Sequence, residues 1–193
     1  MNKVVIALCA FSLVFASCKS DKKKEADEET VTEEQVVETK VEVKKIKLAM
    51  EPKSDTQVSG NAVFTDKDGQ VTVVAVFEGL QPGSHAIHIH EKADCSAPDG
   101  TSTGGHWNPT NQPHGKWGAA EGFHKGDIGN FTADENGNGT ITFNAGGEWC
   151  IGCGDPNRDI VGKAVIVHQG TDDFTTQPTG DAGGRVSCGG IIE

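Results

Sequence analysis

The one long apolar run in the chain, residues 4–15, falls well short of the roughly 20 residues that a membrane-spanning helix needs. Basic charge is also scarce: 17 Lys plus Arg stand against 28 Asp plus Glu, a net charge of −11. Nucleic-acid binding calls for the opposite sign and is excluded. Residues 46–193 show no amphipathic helix, so the chemistry has to be carried by strands and loops. Between residues 19 and 45 there is no aromatic residue and no glycine. Such a segment cannot bury enough apolar surface to offset its conformational entropy.

The N-terminus reads as a targeting segment. Lys3 precedes the apolar run, which ends in Phe15-Ala16-Ser17-Cys18, small residues meeting a cysteine as in a bacterial lipoprotein cleavage box. Residues 1–17 are expected to be the signal peptide and Cys18 the lipidated first residue of the mature chain. An ordinary signal peptide cut near Ala16 is the alternative. Residues 18–45 follow as a lipidated, charged and flexible linker; a charged helix would have only a thin stripe of Val31, Val36, Val37, Val41 and Val43. The expected location is therefore the cell envelope, with the membrane touched only through the N-terminal lipid. Lys19 is not the aspartate of an inner-membrane retention signal, which points to the outer membrane, facing the periplasm or the cell surface.

Residues 46–193 have the length of one domain with one core, and carry 9 basic against 19 acidic side chains. Short β-rich runs alternate with turn residues about every ten positions, the signature of an all-β sandwich or barrel. Residues 60–65 and 70–77 flank Asp66-Lys67-Asp68-Gly69, a hairpin signal. Further strands are expected at 44–49, 85–90, 129–132, 140–144 and 163–169. Residues 91–125 and 170–184 are too long and too rich in Gly and Pro to be strands, and long loops in a compact domain are usually functional.

All 7 histidines lie between His85 and His168. Strand alternation puts His88 and His90 on one face, two imidazoles for one metal ion, and turns His85 to the other, where it reads as a structural residue. His106, His114, His124 and Asp127 follow on the first long loop, a set of N and O donors suited to zinc. His168 ends the apolar strand 164–167. Two four-coordinate sites need eight ligand positions, and the candidates are six histidines and one aspartate. Filling every position with protein requires one histidine to serve both ions through its two ring nitrogens.

The ordered motifs resemble the copper/zinc superoxide dismutase family. They are His88-Ile89-His90-Glu91, Gly105-His106-Trp107-Asn108-Pro109, His114-Gly115, and His124 through Asn130. Val167-His168 and the run from Gly180 to Gly189, which contains Arg185 and Cys188, complete the set. The resemblance implies an all-β, eight-stranded Greek-key barrel or sandwich, a fold known for this family. It implies one copper ion on His88, His90, His106 and His168, one zinc ion on His106, His114, His124 and Asp127, and hence His106 as the bridge. The activity implied is disproportionation of superoxide anion to dioxygen and hydrogen peroxide, with His106 passing a proton to the product and Arg185 docking the substrate. An Asp172-Asp173 pair on a loop would alone read as solvated; the resemblance makes Asp172 the partner of His88 and His114. No oligomeric state follows, because the family contains monomers and differently built dimers.

Of the four cysteines in the folded part, the resemblance pairs Cys95 with Cys188. Cys150-Ile151-Gly152-Cys153 lies in an insertion, residues 146–159, outside the family pattern. A second disulfide is expected there, dispensable for catalysis, with a third metal site or a redox contact as the alternative. Two other functions compete with the dismutase. A non-enzymatic copper-binding or copper-delivery lipoprotein would be favoured by loss of Arg185 or a copper histidine. A hydrolase using zinc-bound water would need an open zinc position and a general base.

Overall fold

The computed structural model describes residues 41–193. The expected signal peptide, Cys18 and the expected linker up to residue 40 lie outside the described residues. Eight strands follow in order: β1 Val43–Pro52, β2 Ser59–Lys67, β3 Gln70–Glu78, β4 Gly83–His90, β5 Asp127–Ala133, β6 Gly139–Gly146, β7 Ala164–His168 and β8 Arg185–Gly190. They close into an antiparallel barrel in the order β1-β2-β3-β6-β5-β4-β7-β8. The first strand starts inside the stretch assigned to the linker, because Val43, Lys44 and Lys45 pair with Lys67, Asp66 and Thr65 at the end of a long β2.

The strands form where side chains alternate. In β3, Val71, Val73, Ala75 and Phe77 are buried, and in β1 Ile46, Leu48 and Met50 are. With Ala62, Phe64, Ile87, Ile89, Val165 and Val167 they fill the barrel. The β2–β3 turn is tighter than the four residues expected. Lys67 pairs with Gln70, and Asp68 and Gly69, with φ of 53° and 76°, make the two-residue turn whose twist suits a hairpin.

The β4–β7–β8 side positions the functional residues. Here both sheet faces are buried, because the loop between β4 and β5 folds over the outside. That double burial explains why residues 164–167 read as one apolar run rather than an alternation. Val165 and Val167 enter the barrel, while Ala164 and Ile166 pack outside it with Cys95 and Cys188. The disulfide Cys95–Cys188, with Cα atoms 5.9 Å apart across 93 positions, pins this loop to β8. Closing a loop of that size stabilises by about 4–5 kcal/mol in the chain-entropy picture. Among the described residues no helix is long and apolar enough to cross a membrane.

Candidate metal centre

His88 and His90 leave the outer face of β4, while Ile87 and Ile89 point into the barrel. The strand pairing shifts register between Ile87 and His88, and again between Val167 and His168. Such irregularities re-aim side chains, and both fall at histidines of the site. The first long loop is tied to β4 by backbone hydrogen bonds: Trp107 N–H to Ile89 O (2.8 Å), Ile89 N–H to Gly126 O (2.9 Å) and Gly126 N–H to Trp107 O (3.0 Å). This knot brings His106, His124 and Asp127 beside His88 and His90.

Two groups of side chains result. The ligand atoms of His88, His90, His106 and His168 lie within 4.8 Å of one another, as do those of His106, His114, His124 and Asp127. His106 belongs to both, and its ring centroid is 4.0 Å from that of His88, 5.1 Å from His90, 5.3 Å from His114 and 5.6 Å from His124. Its Nδ1 is 2.9 Å from Asp127 Oδ1. Its Nε2 is buried without a hydrogen-bond partner, as are His88 Nδ1, His90 Nε2 and His168 Nε2. In the other group His114 Nδ1 and His124 Nδ1 lie 3.0 and 3.3 Å from Asp127 oxygens, without the alignment of a hydrogen bond. Ligand atoms around a tetrahedral zinc with bonds near 2.0–2.1 Å stand roughly 3.3 Å apart. Six buried ring nitrogens left unpaired would be costly. Metal ions in the two groups would satisfy them, so the residues fit such ions.

The opposite ring nitrogens are held. Asp172 accepts from His88 Nε2 through one oxygen and from His114 Nε2 through the other, both at 2.9 Å. His90 Nδ1 donates to Gly104 O at 3.0 Å and His168 Nδ1 to Gly183 O at 3.3 Å. Each bond leaves the second nitrogen of its ring with a lone pair directed into the group, the arrangement a metal-binding imidazole requires.

Charge follows the same pattern. Burial first, then neighbouring imidazoles and Arg185, push His90 and His168 well below the ordinary histidine range. Burial lowers His106 to about 4 despite Asp127. These rings are neutral ligands at neutral pH. Burial alone would also lower His114, but Asp127 and Asp172, one at each ring nitrogen, outweigh it and raise His114 to about 9. Asp127 is buried, which favours its protonated form, yet the His106 ring, the nearby His114 and His124 rings and the hydrogen bond from the His124 N–H hold it far below the usual carboxylate range.

Arg185 begins β8 and touches none of these nitrogens. Its Nη1 donates to Gly100 O and Thr103 Oγ1, both at 2.8 Å, and its Nη2 donates to Gly104 O at 2.9 Å. Gly104 O therefore receives both Arg185 and His90. The guanidinium docks the short 3-10 turn Thr101–Thr103, and among the described residues its Nε–H and one Nη2–H meet no hydrogen-bond partner.

His85 faces the other way, as expected: its ring nitrogens lie 2.9 Å from His168 O and 2.7 Å from Gln81 O. Cys150 and Cys153 are joined in a disulfide. Two residues to which sequence reasoning gave no role complete the site. Asn130 grips Asp172 by two 2.8 Å bonds, Nδ2 to its carbonyl and Oδ1 from its N–H. Gln177 grips His114 in the same way, Oε1 from its N–H and Nε2 to its carbonyl, again at 2.8 Å. Asn130 stands inside a quoted motif, whereas Gln177 carries no sequence signal beyond its place in a long loop.

Comparison with known proteins agrees with this geometry. A SOD-like protein from Bacillus subtilis has 30% sequence identity, with a TM-score of 0.66 over 76% of this chain and 97% of that one. A double mutant of the Bacillus subtilis protein aligns with a TM-score of 0.68 at 31% identity, over the same shares of both chains. The family described as copper/zinc superoxide dismutase matches residues 58–191, and the chain belongs to that family.

Proposed function

We propose that this protein disproportionates superoxide, two superoxide anions and two protons yielding one dioxygen and one hydrogen peroxide. The observation that carries the reading is His106, whose two ring nitrogens face two separate four-residue groups. His88, His90, His106 and His168 would hold copper, and His106, His114, His124 and Asp127 would hold zinc. When bound, copper supplies a one-electron couple and zinc a fixed positive charge without redox change.

The side chains have separable tasks. His88 Nδ1, His90 Nε2 and His168 Nε2 present lone pairs, fixed by the acceptors on their far nitrogens. Asp172 joins the two groups by fixing His88 and His114 together. His106 Nε2 is the atom placed to hold a proton and give it to the product. Arg185 offers its two free N–H groups and its charge to a small anion, in a protein whose net charge of −11 repels one. Burial lowers its pKa from the ordinary arginine value, but a guanidinium stays charged at neutral pH.

The copper-delivery reading shares the fold and the ligands but has no use for a clamped arginine with spare donors. The zinc-hydrolase reading lacks the open position it needs, because four side chains already converge there. We also place the protein in the cell envelope, exported and held by a lipid on Cys18. The test of function is product stoichiometry. Protein loaded with copper and zinc should convert superoxide to dioxygen and peroxide in equal amounts, and protein loaded with zinc alone should not. Copper-loaded protein that leaves superoxide untouched would favour the delivery role.

A further inference from the structure

The insertion between β6 and β7 is not used by the dismutase reading, yet it gathers a third set of metal-ligating side chains. Cys150, Cys153 and Asp159 each offer a ligand atom within 4.8 Å of the others. The segment is held without its sulfur–sulfur bond. Asp159 Oδ1 accepts the N–H of Gly152 (3.0 Å) and of Val161 (3.1 Å), and Oδ2 accepts that of Gly154 (2.8 Å). Cys150 N–H donates to Arg158 O at 2.8 Å, and Cys150 O accepts from Ile160 N–H at 3.2 Å. Ile151 and Ile160 are buried in the core beside Trp149.

A disulfide spanning 3 positions, against 93 for Cys95–Cys188, removes the least entropy from the unfolded chain. Here it also repeats a restraint that Asp159 already supplies. Its value therefore lies in chemistry rather than in stapling. Cys153 is exposed, whereas Cys95 is half-buried and Cys188 fully buried, so a reductant meets the insertion first.

We propose that the reduced Cys150–Cys153 pair is a separate thiolate site for a soft monovalent cation, Cu(I). A dithiol or phosphine supplies two electrons; the sulfur–sulfur bond breaks and each sulfur takes up a proton. A dithiol leaves as its disulfide, and a phosphine as its oxide with oxygen from water. Binding of the cation then displaces the two thiol protons. The Asp159 clamp keeps the sulfurs close after reduction, and soft thiolate ligands select Cu(I). Asp159 Oδ2, with one N–H on it, keeps a lone pair for the ion. The inference does not depend on the dismutase reading.

The test uses the full mature chain loaded with zinc, with and without phosphine treatment, titrated anaerobically with Cu(I) against the chromogenic chelator bicinchoninate. Alkylation and mass spectrometry identify the cysteines opened. Because the histidine groups are open to Cu(I) in both samples, the readout is the difference between them. The reduced protein should bind one more Cu(I) per chain, with thiolate-to-copper ultraviolet absorption. Cys150→Ser/Cys153→Ser should lose that equivalent, and Cys153→Ser alone, which leaves the buried Cys150 in place, should bind it at least a hundredfold more weakly. Equal uptake with and without reduction would overturn the proposal. So would an extra equivalent retained by the double variant, or a Cys150–Cys153 bond that resists phosphine in the folded protein.

Discussion

His106 is buried between five other imidazoles and presents Nδ1 to the Asp127 group and Nε2 to the His88 group. Removing it therefore takes a ligand from both groups, whereas His168 belongs to one. His106→Ala should lower zinc and copper occupancy together, and His168→Ala should lower copper with zinc retained; elemental analysis after dialysis against a weak chelator measures both. Unchanged zinc in His106→Ala would mean that the groups act separately. Arg185 holds Gly100, Thr103 and Gly104 as well as facing the site, so its variants must be read per bound copper. Arg185→Ile should lower the rate per copper about ten- to a hundredfold, or about 1.4–2.7 kcal/mol. Arg185→Lys should lose less, since it keeps the charge but not the planar fork. Full activity per copper in Arg185→Ile would remove its docking role. The seven converging side chains were legible because their type and spacing carry the chemistry. Asn130 and Gln177 were not, because an amide that grips another residue's backbone has no signature of its own.

The elements differ in how openly the sequence announces them. The β2–β3 hairpin shows two β-rich runs around the turn residues Asp68-Gly69, and both long loops declare themselves by glycine and proline. Strand β8 is hidden: the alternation of Arg185-Val186-Ser187-Cys188 is short and runs into Gly189-Gly190, and the strand forms because β7 supplies a complete antiparallel partner. The loop before it is held to the site by Asp172 and Gln177, and Gly180 closes over their bonds with φ of +69°. A side chain there would put its Cβ 1.9 Å from Asp172 Oδ1 and 2.7 Å from His114 Nε2. Gly180→Ala should therefore release zinc at a chelator concentration at least tenfold lower than the parent requires, with the far-ultraviolet circular dichroism of the barrel unchanged. Parental zinc retention in this variant would show that the loop does not support His114.

For the molecule as a whole, the histidines set opposing pH limits on the metal-free fold. His90, His168 and His106 are depressed by burial, so below about 6.5 the unfolded chain binds more protons than the folded one and stability falls with pH. His114 is raised to about 9, so its contribution is full below about 6.5 and is lost as pH climbs toward 9. The metal-free protein should accordingly have its highest Tm near pH 6.5, and zinc, which takes the place of the proton on His114, should abolish the alkaline decline. A metal-free Tm that rises from pH 6.5 to 9 would contradict this balance. The acidic surface bears on the proposed dismutation too: residues 171–184 contain no Lys, Arg or Glu, so on this proposal attraction of superoxide would fall to Arg185 and the bound ions. The measurement that bears most directly on the central claim is the second-order rate constant for superoxide decay per bound copper, followed by pulse radiolysis with a chelator present to silence free copper. Superoxide dismutases are a standard example of catalysis near the diffusional ceiling of about 10⁸–10⁹ M⁻¹s⁻¹. The copper- and zinc-loaded protein should approach that range, and decay no faster than with zinc-only protein would contradict the account.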